Sequence, residues 1–137
     1  MDGKLRGIMA APVTAFKADG RVDFETFERQ INFLIESGFP FIAHPMHIGE
    51  SPNLTVRERK ELVSSLVRAA GGRVPVFVNV SMPGTDNMLD LARHSEFAGA
   101  SGMVVLSPYH WEPEAEAHLD HFLTLGKSVD MKMVAYN

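Results

Sequence analysis

The chain has 137 residues, 45% hydrophobic and 22% charged, and its 13 Lys+Arg against 17 Asp+Glu give a formal net charge of -4. With a mean hydropathy of -0.03 this is the composition of a globular chain with room for one core, which excludes a disordered or fibrous protein. The acidic balance without a basic run argues against nucleic acid or an anionic membrane as partner, and the lack of cysteine excludes disulfides, thiolate nucleophiles, Fe–S clusters and cysteine-type zinc sites.

The amino terminus leads into a short apolar run broken at Pro12. This is neither a signal-peptide core nor the roughly 20 apolar residues of a membrane span, so a cytoplasmic protein without membrane contact is expected. That first run, Gly7 to Val13, reads as a strand. Asp23 then caps a helix, with Val22 and Phe27 placed as a hydrophobic staple and Phe27, Ile31, Leu34 and Ile35 forming one apolar stripe that stops at Gly38. Phe41 to His44 is a second strand. Thr55 and Glu58 have capping-box spacing ahead of Leu62, Val63, Leu66, Val67 and Ala70, and Gly71-Gly72 ends that helix. Val74 to Val80 is a third strand, and Thr85 starts a helix carrying Met88, Leu91, Ala92, Ser95 and Ala98. Gly102 to Leu106 follows as a strand, Pro113 sits where a first-turn proline starts a fourth helix with Leu119, Phe122 and Leu125, and Lys132 to Ala135 is the last strand.

Continuous apolar runs with β-branched residues are the mark of strands buried on both faces of a parallel sheet. Strand and helix alternate about every 30 residues, which predicts an α/β chain of about four and a half βα units. An open doubly wound sheet and part of a (β/α)8 barrel both fit that alternation. An open five-stranded domain normally ends with a helix over its last strand, whereas this sequence stops at Tyr136-Asn137, directly after one. The expectation is therefore one partial domain over residues 1–137, the amino-terminal part of a TIM barrel cut after its fifth strand.

In either architecture the active site lies at the carboxyl ends of the strands. These are Val13-Thr14, His44 to Glu50, Ser81-Met82, Ser107 to Glu112 and Tyr136-Asn137. No acidic cluster with an accompanying lysine occupies them, which excludes a receiver-type phosphotransfer site, and no Gly-rich turn enters a helix to cradle phosphate. Six histidines raise the question of a metal, but three or four convergent ligands with a second shell are not evident, and solvent-facing histidines are the simpler reading. For His118 and His121, one turn apart beside Glu116 and Asp120, a helix-surface position is expected. A tyrosine at a strand end, Tyr136, can place its hydroxyl in a barrel mouth and move protons, but on position alone the core tyrosine with its hydroxyl bonded to backbone is the favoured reading. Tyr109, His110 and Trp111 fit either a substrate contact or a loop tip packed on a partner chain.

Val13-Thr14 with Phe16, Asp19-Gly20 with Val22-Asp23, Gly49-Glu50, Leu54-Thr55 with Glu58-Arg59, Gly72 to Val76, Ala98 to Ala100, Pro108-Tyr109, His121-Phe122 and Tyr136-Asn137 together span nearly the whole chain. In this set the sequence resembles the dihydrodipicolinate synthase and N-acetylneuraminate lyase family of pyruvate-dependent, Schiff-base aldolases. The resemblance implies a (β/α)8 barrel in which a lysine on the sixth strand, beyond Asn137, condenses with pyruvate or another 2-oxo acid, with no cofactor and with a homo-oligomer, dimer or tetramer, as the working assembly. It matches Tyr136 to the family's proton-relaying tyrosine, Ala11 to a small residue on the pocket floor, Tyr109 to a proline-tyrosine pair and His110 to an aromatic that reaches a neighbouring subunit's site.

The family's glycine, threonine (or serine), threonine, glycine, glutamate motif, which grips the substrate carboxylate, is matched by Met46-His47-Ile48-Gly49-Glu50. Both hydroxyls are gone. His47 can supply a donor or a proton where the first stood, and Ile48 makes the neighbouring surface apolar, a change that favours a dehydratase or hydratase-aldolase over the first synthase activity. Lys4, Lys17, Lys60 and Lys127 read as surface charges and Lys132 as a residue preceding its strand, so the 137-residue chain alone is expected to form no Schiff base. The rival from another class is a non-catalytic half-barrel that covers its open edges with a second chain and serves as a binding or regulatory module.

Overall fold

The computed structural model describes residues 5–108 and 114–136. Five strands, β1 (Met9–Ala10), β2 (Phe41–Ala43), β3 (Val76–Asn79), β4 (Gly102–Leu106) and β5 (Lys132–Tyr136), alternate with four helices, α1 (Phe24–Glu36), α2 (Val56–Ala70), α3 (Thr85–Ala98) and α4 (Ala115–Gly126). The strand order is β1-β2-β3-β4-β5, and every pairing is parallel.

The helix starts follow from short polar side chains. Asp23 accepts the Thr26 amide at 3.1 Å and the Thr26 hydroxyl at 2.8 Å, while Val22 and Phe27 are both buried behind it. At α2 the Thr55 hydroxyl accepts the Glu58 amide and the Glu58 carboxylate accepts the Thr55 amide, so two otherwise orphaned donors are satisfied reciprocally. Gly71 and Gly99 end α2 and α3 in the left-handed region. α4 begins at Ala115 behind Glu114; Pro113 lies outside the described residues.

The first three strands are shorter than their apolar runs, whereas β4 matches its run and β5 extends one residue past it. Only Met9 and Ala10 of the first run pair, because Gly7 sits at φ 108 and Pro12 has no amide to donate. Pro75 likewise delays β3 to Val76, and a cis His44-Pro45 bond follows β2.

All four helices lie on one face of the sheet. Ile42, Val76, Val78, Met103 and Val105 point outward into two clusters with Phe27, Ile31, Leu62, Leu66, Met88, Leu91 and Leu125 from the helices. The alternate residues Phe41, Ala43, Phe77 and Val104 form a separate cluster on the inner face, joined by Met9, Met46 and Val134. A doubly wound sheet has helices on both faces and a reversal in strand order. Sequential order with one-sided helices is the wall of a (β/α)8 barrel over five strands, which decides between the two architectures left open by the alternation.

Burial on both faces holds for β2, β3 and β4. It does not hold for β5, where all but Val134 are exposed, since among the described residues β5 pairs on one side only. Lys132 is the first residue of β5, paired with Gly102, and does not precede the strand. Gly102 is dictated by a close approach: a Cβ there would fall 2.4 Å from the Phe77 ring and 2.8 Å from the Lys132 carbonyl oxygen.

Candidate functional site

The carboxyl ends of β1, β2 and β5 enclose a pocket of about 320 Å³ on the inner face. Ala11 enters it from the segment after β1, Met46, His47 and Ile48 from the loop after β2, and Tyr136 from the end of β5. Met9, Ala43, Val104 and Val134 form the deeper walls. One layer down, the Phe77 ring meets Phe41 edge-on, with centroids 6.3 Å apart, and covers Gly102. These two rings pack the inner face of the sheet below the pocket.

All of the sequence-derived site residues that fall within the described residues, namely Ala11, His47, Ile48 and Tyr136, line this one pocket. Tyr109 and His110 lie outside the described residues. Tyr136 is 56% exposed at the end of β5, the edge strand among the described residues.

The loop after β2 folds as two successive 3-10 turns, His47–Gly49 and Ser51–Asn53, which the sequence reading did not anticipate. Glu50 joins them at φ 58 and ψ 31, a left-handed conformation that costs a non-glycine residue on the order of 1 kcal/mol. The turns engage the amides of Gly49, Glu50 and Ser51 with the carbonyls of Met46 and His47.

Beneath the loop sits His44. The expectation of a solvent-facing histidine is corrected by an exposure of 1%; the side chain packs on the helix side of the sheet, against Phe27 of α1 at 4.6 Å between ring centroids. Its Nδ1 lies 3.2 Å from the Pro12 carbonyl oxygen, which can only accept, so Nδ1 carries the proton. Burial, partly offset by that bond and reinforced by the Arg59 charge, lowers the ring pKa from 6.5 to about 4, so the imidazole is neutral and Nε2 is an acceptor. Thr14 Oγ1 stands 3.3 Å from Nε2 and donates to the Gly49 carbonyl at 2.6 Å. Gly49 must be glycine at this spot, since a Cβ would fall 2.9 Å from His44 Cε1 and 3.3 Å from the Pro12 carbonyl oxygen.

The buried polar seam continues across the strand ends. Arg59 of α2 donates to the carbonyls of Asn79 and Ser81 at 2.7 and 3.0 Å, the Asn79 carboxamide accepts the Ser81 amide, and the Ser81 hydroxyl accepts the Leu106 amide at 2.8 Å. Thr14, His44, Arg59, Asn79 and Ser81 thus fix the βα loops from below. In the sequence Thr14 and Arg59 stand among the residues that carry the family resemblance, and His44 and Ser81 are polar residues at apolar strand ends.

The helix-surface expectation for His121 is corrected as well. Its Nε2 is buried without a hydrogen-bond partner among the described residues, and burial lowers its pKa. Among the described residues no three His, Asp or Glu side chains converge on a possible metal position, and no helix is long and apolar enough to cross a membrane.

The dihydrodipicolinate synthetase family model matches residues 4–137. The chain belongs to this family. The 4-hydroxy-tetrahydrodipicolinate synthase of Bartonella bacilliformis is 35% identical over 133 residues, which cover 97% of this chain and 45% of that one. The crystal structure of dihydrodipicolinate synthase from Aquifex aeolicus superposes with a TM-score of 0.93 at 32% identity, covering 97% of this chain and 45% of that one. A prophage protein of the same family from E. coli K12, in complex with pyruvate, gives 0.93 at 29% identity over 96% of this chain and 44% of its own. The chain thus spans about half the length of the curated relatives it matches, and over that span the sheet is the amino-terminal half of their barrel.

Proposed function

We propose that the protein carrying this chain is a lysine Schiff-base lyase or aldolase acting on pyruvate or another 2-oxo acid, with the barrel completed and the condensing lysine supplied outside these 137 residues. The observation that carries the proposal is the pocket itself: it lies at the strand ends, where barrel enzymes bind substrate, and joins Tyr136, His47 and Ile48 from elements about 90 residues apart in sequence. In the reaction an amine condenses with the ketone and loses water, and the imine then accepts the electron pair of a breaking bond or forms the enamine that attacks an aldehyde. The Tyr136 phenol moves protons to and from the substrate oxygen, the Ile48 amide and the His47 ring hold the carboxylate, and Ala11 keeps the floor open. Tyr109 and His110 belong to the same proposal as a wall residue and an inter-subunit contact. A cytoplasmic homo-oligomer without cofactor is the proposed working form.

The full-length protein is mixed with pyruvate and sodium borohydride and then digested for mass spectrometry. A reduced adduct on a lysine outside this chain is expected, while the 137-residue chain alone remains unmodified. A full-length protein that stays unmodified overturns the reading. Tyr136→Phe is expected to lower kcat by about 100-fold or more while the adduct still forms, which separates proton relay from condensation.

A further inference from the structure

We propose that Thr14 and His44 are positioning residues for substrate binding, which hold the turn after β2 so that His47 and Ile48 stand over the pocket. The inference rests on the Schiff-base reading and adds the pair that seats its carboxylate-gripping loop. The bonds from the Gly49 and Ser51 amides to the Met46 carbonyl, and from the Glu50 amide to the His47 carbonyl, run within the loop. They give the turn its shape without setting where it stands relative to the sheet, and a single 3-10 turn has little stability of its own. Its place is set by the Thr14 hydroxyl, which donates to the Gly49 carbonyl at 2.6 Å across 35 residues of sequence. The second turn has a longer tie, from the Asn79 carboxamide to Ser51 Oγ at 3.5 Å.

The His44 ring is the spacer behind that bond. On one side its Nδ1 donates to the Pro12 carbonyl at 3.2 Å, next in sequence to Ala11 of the pocket floor. On the other its Cε1 lies so close to Gly49 that a Cβ there would come within 2.9 Å of it, and Nε2 stands 3.3 Å from Thr14 Oγ1. The hydroxyl has one proton, and the nearer acceptor, the Gly49 oxygen, takes it. Phe27 of α1 backs the ring from the helix side. Thr14 and His44 are both buried, where hydrogen bonds are electrostatically stronger and costlier to break than in water. One rigid ring thus fixes the distance between the segment carrying Ala11 and the turn in which His47 and Ile48 immediately precede Gly49.

Both residues stand outside the pocket lining, so they act on binding through the loop and not on the reacting atoms. Displacing a group that holds substrate equally well in the ground and transition states raises KM and leaves kcat in place. A half-reaction reads this split without an aldehyde. Pyruvate condenses with the lysine amine and loses water, the imine gives up a C3 proton as the electron pair of that bond forms the enamine, and a deuteron from solvent returns to C3. Addition of water then releases labelled pyruvate and the free amine.

The test uses the full-length protein, with deuterium exchange at pyruvate C3 followed by NMR and borohydride trapping run in parallel. Thr14→Val keeps the branched shape and removes the hydroxyl; KM for pyruvate is expected to rise about 10-fold while kcat for exchange stays within about 2-fold. Thr14→Ser returns the hydroxyl and should bring KM back to within about 3-fold of the unsubstituted protein. His44→Phe keeps a ring beside Phe27 without the two nitrogens and should raise KM as Thr14→Val does, the double variant showing less than the product of the single effects. Leu91→Val loosens the outer core and should leave KM within about 2-fold. Trapping by the unsubstituted protein together with an unchanged KM in folded Thr14→Val overturns the inference and leaves the Schiff-base reading standing; no trapping overturns both. An equal KM rise in Leu91→Val, or no recovery in Thr14→Ser, also overturns the inference. Should Thr14→Val fail to fold, Gly49→Ala, whose methyl group presses on the same ring, decides by the same split.

Discussion

The two faces of the sheet are built from alternate residues of the same strands and answer to different demands. Outward residues such as Ile42, Val78 and Met103 are fully buried under the helices. Their inward neighbours reach only as far as one aromatic layer, above which Met133's neighbour Val134 is half-buried and Tyr136 is exposed. The outer face is buried along its length and the inner face leaves room only above its aromatic layer, so the effect of a substitution should depend on its parity and its height along the strand.

The comparison is broken most severely at Phe27, which is fully buried and also holds the His44 ring. Phe27→Ala should cost about 3–5 kcal/mol, read from guanidinium unfolding. Next comes pH. The unfolded His44 binds a proton below about 6.5 and the folded one only near 4, so stability is complete above the first value and falls as pH drops toward the second, by on the order of 3 kcal/mol. His121 shifts in the same direction. Glu28, Glu58 and Asp23, whose pKa values are lowered by their hydrogen bonds to Ser65, Thr55 and Thr26 respectively, begin to lose their contribution as pH falls through the ordinary carboxylate values of 4.5 for Glu and 3.8 for Asp. Urea melts across this range should show the decline, and His44→Gln should remove most of it. A flat profile for the native sequence would count against a neutral buried ring.

Gly102→Ala pushes a methyl group into the Phe77 ring and the Lys132 carbonyl and should cost about 1–3 kcal/mol, with partial recovery in a Gly102→Ala, Phe77→Leu double variant. At the far end of the scale, Tyr136→Phe should change unfolding free energy by no more than about 0.5 kcal/mol despite its effect on turnover. A large loss there would show that the strand-end part of the inner face carries stability as its buried aromatic layer does.

Local signals in the sequence account for much of the fold. Asp23, Thr55 and Glu58 announce their helices because capping is a contact between residues three apart, and the β-branched runs announce strands. Strand length was less legible, because pairing stops where Gly7, Pro12 and Pro75 remove geometry or donors. The candidate site was legible through resemblance at Ala11, His47, Ile48 and Tyr136, and the pocket brings these together. His44 was misread because its partners, Pro12, Thr14 and Gly49, are brought to it by the parallel pairing of β1 with β2, a long-range event that no spacing along the chain displays.

The sequential strand order has a consequence for how the molecule comes into being. Phe41 pairs back to Met9, Val76 to Ile42, Gly102 to Phe77 and Lys132 to Gly102, so among the described residues each pairing closes about thirty residues after its partner was laid down. During synthesis each βα unit can therefore dock on the one that left the ribosome before it. The wall grows like a hedge planted from one end, and its growing edge is always the last strand made.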